Sequence, residues 1–195
     1  MIDFFDFDGI IWVTADLHLG HEEVLGFTKR PWKNIDRHDN AVIKNAHRLV
    51  RPQDVYIIIG DLTLTGSSNA NRIRRYISRL PGRKILVLGN HDHMKAKWYV
   101  KAGFELATTA LVLPGGVLVV HDPQEAAEWP REKPVVCGHW HDTFMVVDNV
   151  VNAGIDVWGY DPIPLEKALS KCVRARGNAY KEMMLRHRHC DEKFS

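Results

Sequence analysis

The sequence predicts a layered α/β fold built on a largely parallel sheet, and three observations carry that expectation. Short β-branched runs alternate with amphipathic helical stretches through the first half. Nearly every one of those runs ends in glycine or alanine followed by a polar residue of a metal-binding type. The second half changes to closely spaced strands, enough for a second sheet packed against the first.

The elements follow in order. Ile10–Thr14 reads as a buried strand ending at Ala15-Asp16, and Asp36–Val50 as a helix with Val42, Ala46, Leu49 and Val50 on one face. Asp54–Ile59 is a second strand, closed by Gly60-Asp61. Asn71–Leu80 is a helix with Ile73, Tyr76, Ile77 and Leu80 inward and Arg72, Arg74, Arg75 and Arg79 outward. Pro81-Gly82 ends it, and Lys84–Leu88 runs into Gly89-Asn90. Leu111–Leu113 and Val117–Val120 flank a turn at Pro114-Gly115-Gly116. Val135–Cys137, Phe144–Val147 and Val150–Asn152 are further strands; Ile163–Leu169 and Ala179–His189 read as short helices.

With 195 residues the chain is long enough for one well-buried domain and cramped for two. We read 1–195 as a single domain with its core at about 10–170, an N-terminal extension at 1–9 and a basic tail or helix at 171–195. That tail carries seven Lys/Arg against three Asp/Glu, while the remaining residues carry 19 against 21. It reads as a solvated helix that can also approach a polyanion. No apolar run approaches bilayer length, and Met1–Gly9 has no basic residue, so the expectation is a cytoplasmic protein without a membrane partner. Three cysteines are too few and too scattered for a disulfide framework, and Cys137 reads as core. The eleven histidines are the anomaly, since most sit beside glycine, aspartate or asparagine.

Five short motifs stand at strand ends, where sites form in open α/β sheets. Asp16-Leu17-His18 offers a hard oxygen and an imidazole; in extended chain this spacing puts both on one side. Asp61 offers a carboxylate able to bridge two cations. In Gly89-Asn90-His91-Asp92, Asn90 is a neutral oxygen ligand and His91 a proton donor beside the metals. Asp92 is placed to hydrogen-bond that imidazole and fix its tautomer. His121 is the fourth motif, after Val117–Val120, and Gly138-His139-Trp140-His141 the fifth, after Val135–Cys137. Taken singly, most of these are ordinary turns. Together they give Asp16, His18, Asp61 and His141 around one metal, and Asp61, Asn90, His121 and His139 around another. Mixed nitrogen and oxygen donors suit Mn²⁺ first, with Zn²⁺, Fe or Ni²⁺ as alternatives.

The ordered set Asp-x-His, Gly-Asp, Gly-Asn-His-Asp, His and Gly-His-x-His resembles the calcineurin-like metallophosphoesterase superfamily, over residues 12 to about 165. The resemblance implies a four-layer αββα sandwich of two mixed sheets flanked by helices, with the metal site at the carboxyl ends of the strands. It also implies metal-dependent hydrolysis of phosphomonoesters or phosphodiesters by a hydroxide bridging two metal ions. The stretches 16–21, 152–158 and 162–165 look like a small, capless branch, which places His21 at the site rim and Trp158 on the pocket wall. His121 is followed by Asp122-Pro123, where the family more often has a small residue. Substrates of the open site are phosphate esters, with nucleotides or nucleic acid as the narrower reading, that of a phosphodiesterase or nuclease. Oligomeric state is not legible.

Two rivals are set aside. Asp6-Phe7-Asp8-Gly9-Ile10 resembles the nucleophile motif of haloacid-dehalogenase-like phosphatases, but only five residues precede it, too few for the buried strand that motif follows. A non-catalytic protein-binding scaffold would have no use for seven ligand-type residues and His91, whose burial costs several kcal/mol. His187, His189 and Cys190 lack a fourth partner for an extra zinc site.

Overall fold

Val55, Tyr56, Ile57, Ile58 and Ile59 are buried on both faces of one strand, the burial pattern of a central strand in a parallel sheet. The computed structural model describes residues 8–64, 69–173 and 175–187, the last two of these without their side chains. Asp6 and Phe7 of the acidic N-terminal motif, His189 and Cys190, and the side chain of His187 lie outside the described residues.

The first sheet contains β1 (Ile11–Ala15), β2 (Val55–Ile59), β3 (Arg83–Val87), β4 (Leu106–Thr108) and β10 (Ile163–Pro164). Its order is β10-β1-β2-β3-β4, parallel except for β10. The second contains β5 (Ala110–Leu113), β6 (Val117–Val120), β7 (Val135–Cys137), β8 (Val146–Val147) and β9 (Val150–Asn152). Its order is β5-β6-β7-β9-β8, with a parallel centre and antiparallel edges. The helices are α1 (Val24–Phe27), α2 (Ile35–Leu49), α3 (Ala70–Ser78), α4 (Ala96–Ala102), α5 (Leu165–Leu169) and α6 (Asn178–His187).

Alternation along the strands sorts the apolar residues into three cores. Trp12, Tyr56, Ile58 and Leu86 face Val42, Ile43, Ala46, Ile73, Ile77 and Tyr99 from α2, α3 and α4. Val13, Ile57, Ile59, Ile85 and Val87 point the other way and meet Val117, Val119, Val136 and Val151 of the second sheet. Beyond it, Leu118, Val120, Val135, Cys137 and Val150 are covered by Ala126 and by Tyr180, Met183 and Met184 of α6. Helices, sheet, sheet and helix make the four-layer sandwich that the motifs imply.

The departures are local. Ile163–Leu169 divides: Ile163-Pro164 joins the edge of β1, where a proline without an N–H is tolerated, and only Leu165–Leu169 is helical. Phe144–Val147 shrinks to the two residues of β8. The short elements α1, α4 and β4 span too few residues to impose a readable period.

Asp54 fastens the start of β1 to β2. Its carboxylate accepts from the Ile10 amide (3.0 Å), the Trp12 indole Nε1 (3.0 Å) and the Arg51 amide (2.9 Å). Burial pushes its carboxyl up, but these donors hold it below the ordinary value. Asp54→Ala is expected to cost about 3 kcal/mol in urea unfolding at neutral pH, because three donors gathered on one buried carboxylate lose their acceptor. A depressed folded pKa means that this contribution is complete above the unfolded carboxylate pKa of about 3.9 and fades as pH falls below it. A loss under about 1 kcal/mol would contradict this role.

The two sheets touch at their carboxyl ends. Ala15 forms a parallel bridge with Gly154, and its amide donates to Ala153 O at 2.9 Å. All five motifs open onto this junction.

Candidate metal centre

Asp16, His18 and His141 place one donor atom each within 4.8 Å of one another, and so do Asp61, His121 and His139. Asp61 links the two groups. Its Oδ2 lies 3.5 Å from His18 Nε2 and its Oδ1 3.4 Å from His121 Nε2, so one oxygen faces each cluster. Asn90 Oδ1 stands 3.0 Å from His121 Nε2 and 3.1 Å from His139 Nδ1, inside the second group. The structure thus brings all seven proposed ligand residues together.

The backbone that does this is unusual. Asp16, His18, Asp61, His139 and His141 all have positive φ, between 45° and 71°. Asp and His tolerate this left-handed region better than most residues, but each instance is strained. Five such residues in one site mean that the surrounding packing holds them there. The extended Asp-x-His geometry expected from the sequence is therefore corrected: a left-handed kink at both residues, not strand alternation, turns the side chains inward. His139 and His141 likewise carry left-handed backbone and stand in different clusters. Glycines make room. A Cβ on Gly138 would sit 2.5 Å from the Ala15 side chain and 2.9 Å from Ile59 O, and one on Gly89 2.6 Å from the Asp61 amide.

Ring nitrogens are assigned by their outer partners. His121 Nδ1 faces Ile59 O at 3.0 Å and donates to it, which leaves Nε2 for a cation. His141 Nδ1 faces Asp156 Oδ2 at 3.3 Å, with the same result. His18 is 2 % exposed and neither ring nitrogen has a hydrogen-bond partner. A buried polar side chain left this way is rare, and a cation on its nitrogen would satisfy it. Burial pushes His18 well below the ordinary imidazole value, which favours the neutral ring a cation would need. Burial opposes the charge on His121 and Asp61 as well, yet their hydrogen bond and mutual attraction raise the imidazole and lower the carboxyl. The donor set therefore fits divalent ions.

His91 is half-buried beside the clusters. Its Nε2 is 4.0 Å from Asp61 Oδ2, its ring 5.6 Å from that of His18, and its amide donates to Asp61 Oδ1 at 3.1 Å. Burial lowers its pKa against the pull of Asp61. Asp92 does not do what its sequence position suggests. Its carboxylate accepts from the amides of Asp61 (2.9 Å), Leu62 (3.2 Å) and Gly89 (2.9 Å), so it ties the second strand-end loop to the third and leaves the His91 ring alone. Burial and the Asp61 charge push its carboxyl up to about 7. Of the rim residues, His21 has its ring 5.4 Å from that of His18, tilted at 49° to it. Trp158 braces the back of the site, donating from Nε1 to Asn152 O at 2.7 Å, while Asn152 Nδ2 donates to His141 O at 2.8 Å.

Sequence reading missed the buried network behind the first cluster. Arg30 donates from Nε and Nη2 to the two Asp156 oxygens at 2.8 and 2.7 Å. It also donates to Asp16 O (2.8 Å) and Leu17 O (3.1 Å), the carbonyls of the strained loop. Its Nη1 lies 2.9 Å from His38 Nε2, and His38 Nδ1 2.9 Å from Asp39, which in turn accepts from Gly20 N and Tyr76 Oη. One signal was available: Asp39 falls on the same helical face as Val42, Ile43 and Ala46, where a polar residue needs a partner.

The chain is similar in sequence to the uncharacterized protein MJ1445 of Methanocaldococcus jannaschii, at 24% identity over 165 residues, covering 80% of this chain and 87% of that one. It is 27% identical over 184 residues to the Gene 66 protein of Mycobacterium phage L5, covering 76% and 87% respectively. Its fold is similar to that of AQ665 from Aquifex aeolicus, a protein of unknown function, with a TM-score of 0.64 and 22% identity over 82% of this chain and 97% of that one. The family model of the calcineurin-like phosphoesterases matches residues 10–163, and with it the metal-type residues, the sheet order and the strand-end site find one account: the chain belongs to that family.

Proposed function

We propose that this chain hydrolyses phosphate esters with a pair of divalent ions, Mn²⁺ foremost, one held by Asp16, His18, Asp61 and His141 and the other by Asp61, Asn90, His121 and His139. The carrying observation is the Asp61 carboxylate, with one oxygen toward each cluster. Two such ions, when bound, supply positive charge for the phosphoryl oxygens and acidify water toward a pKa of about 7. Asp61 and Asn90 hold the centre together from adjacent loops, and Asp92 fixes both loops through three backbone amides. His91, partly exposed and unspent by any side-chain hydrogen bond to Asp92, is positioned to give a proton to the leaving oxygen. No side chain here needs to form a covalent bond with phosphorus.

The substrates we infer are phosphomonoesters or phosphodiesters reaching an open site. The arginines of α3 and the start of β3 add little toward nucleotides, since several are engaged: Arg79 donates to Asn40, Arg83 pairs with Glu105, and Arg74 lies over the Trp98 ring. Among the described residues no helix is long and apolar enough to cross a membrane.

His91→Ala is the direct test. Turnover of an aryl phosphodiester with Mn²⁺ should fall by about 10²–10⁴-fold, the usual contribution of a positioned acid, while the metal content of the protein stays the same. Undiminished turnover would remove His91 from the mechanism, and wild-type protein without metal-dependent turnover on monoester or diester would remove the mechanism itself.

A further inference from the structure

A second cleft lies on the far side of the His121 strand end, between α6 and the segment 124–131. Its volume is about 390 Å³, within the range of small-molecule sites of about 300–1,000 Å³. Three of its lining residues are Arg131, Arg176 and Lys181, and none is acidic. Arg176 is 5 % exposed, and its guanidinium donates to three backbone carbonyls, Trp129 O (2.6 Å), Lys133 O (2.9 Å) and Pro130 O (2.9 Å). Among the described residues it has no carboxylate within ion-pairing distance. Glu132 acts on it only through space, and the neighbouring charge of Arg131 adds to its own. The carbonyls satisfy its donors, and its charge adds to those of Arg131 and Lys181 in a lining without an acidic residue.

The helix that carries Lys181 also presents apolar surface to the cleft. Tyr180 lies beneath the Arg176 guanidinium, 5.6 Å from ring centre to carbon, and Met184 and Leu185 continue the surface. Leu185 is 61 % exposed on a helix whose other apolar residues are tucked against the sheet. The N-terminal amides of α6 are not the attraction, since the Asp148 carboxylate already accepts from Gly177 N and Tyr180 N.

We propose that this cleft binds a small amphipathic phosphate, an apolar planar body with one phosphoryl group, of the size of a nucleoside monophosphate. Arg131 and Lys181 reach the phosphate from the rim, Arg176 supplies fixed positive charge below it, and Met184 and Leu185 take the apolar body. The cleft is separate from the metal centre but mechanically joined to it. Tyr180 Oη donates to Pro123 O at 2.8 Å, two residues beyond His121, and the Asp122 carboxylate accepts from Gln124 N at 2.8 Å.

The test uses the full chain freed of metal by chelator, so that its outcome does not depend on the catalytic reading. Titration calorimetry with adenosine 5′-monophosphate should show binding, and Arg131→Ala with Lys181→Ala should weaken it about ten-fold or more, as expected for losing a charge-assisted hydrogen bond. Leu185→Ser, at an exposed position, should weaken the nucleotide and leave inorganic phosphate unaffected. Metal-dependent turnover of an aryl phosphodiester by the double variant should match wild type. Absence of nucleotide binding, or binding unchanged in the double variant, overturns the site. Phosphate binding as tightly as the nucleotide overturns the apolar half of the assignment. A single-stranded oligonucleotide that binds where the mononucleotide does not would make the cleft a strand track and overturn it too.

Discussion

Asp61→Asn is expected to lower the divalent ions retained per chain from two to one or none and to reduce turnover by at least about 10³-fold. That exceeds the 10–100-fold typical of removing a group that only orients a ligand. Asparagine has almost the volume of aspartate, so the loops can keep their course. What changes is one oxygen, which becomes an NH₂ that donates and whose lone pair is delocalised into the carbonyl and cannot bind a cation. Whichever way the amide turns, it presents those donors to the His18 Nε2 position or to the His121 Nε2 position, 3.5 and 3.4 Å away. The remaining oxygen can serve one cluster, and the charge that both share is gone. His91 would keep its backbone acceptor only in the rotamer that leaves oxygen at the Oδ1 position. Metal content after exhaustive dialysis, by atomic emission, and kcat/KM on an aryl phosphodiester measure both halves of the expectation. Two retained ions with more than a tenth of wild-type turnover would end the shared-carboxylate reading.

Why Asp61 could be found in the sequence, and Arg30 could not, follows from what a sequence displays. Val55–Ile59 is a five-residue run with no polar interruption, so its end, and the Gly60-Asp61 that follows, announce themselves. The same holds for Val117–Val120 before His121 and Val135–Cys137 before Gly138, whose bounds the structure reproduces. Strand ends converge by topology, so naming them located the site. Direction is different. Asp92 is next to His91 in the chain, but its carboxylate points to the amides of Asp61, Leu62 and Gly89. Adjacency in sequence says nothing about which way a turn throws a side chain. Arg30 and Asp156 are 126 residues apart, and nothing local marks either as half of a pair. The two-residue strand β10 is equally silent, since alternation needs more than two positions to be read.

Arg30→Met is expected to destabilise the protein by about 3–5 kcal/mol, the usual cost of leaving one partner of a buried ion pair alone. For a chain of this size, that lowers Tm by on the order of 10 °C. The Arg30 and Asp156 side chains are 0 % and 2 % exposed, so water cannot replace the missing guanidinium. The effect should be worse than the loss of one pair, because the same group holds Asp16 O and Leu17 O behind two left-handed residues. Arg30→Lys should rescue little. Lysine brings the charge but cannot reach Asp156, two carbonyls and His38 from one nitrogen as the planar fork does. The contrast is Arg48→Met, which removes a pair whose side chains are 58 % and 34 % exposed and in which Arg48 Nη2 lies 2.8 Å from each Asp161 carboxylate oxygen; it should cost about 1 kcal/mol or less. Denaturant unfolding of the metal-free variants separates the two. If Arg30→Met falls within about 1 kcal/mol of Arg48→Met, the buried network is not what holds the strained loop, and the left-handed conformations of Asp16 and His18 must be imposed by the sheet junction at Ala15 and Gly154 instead.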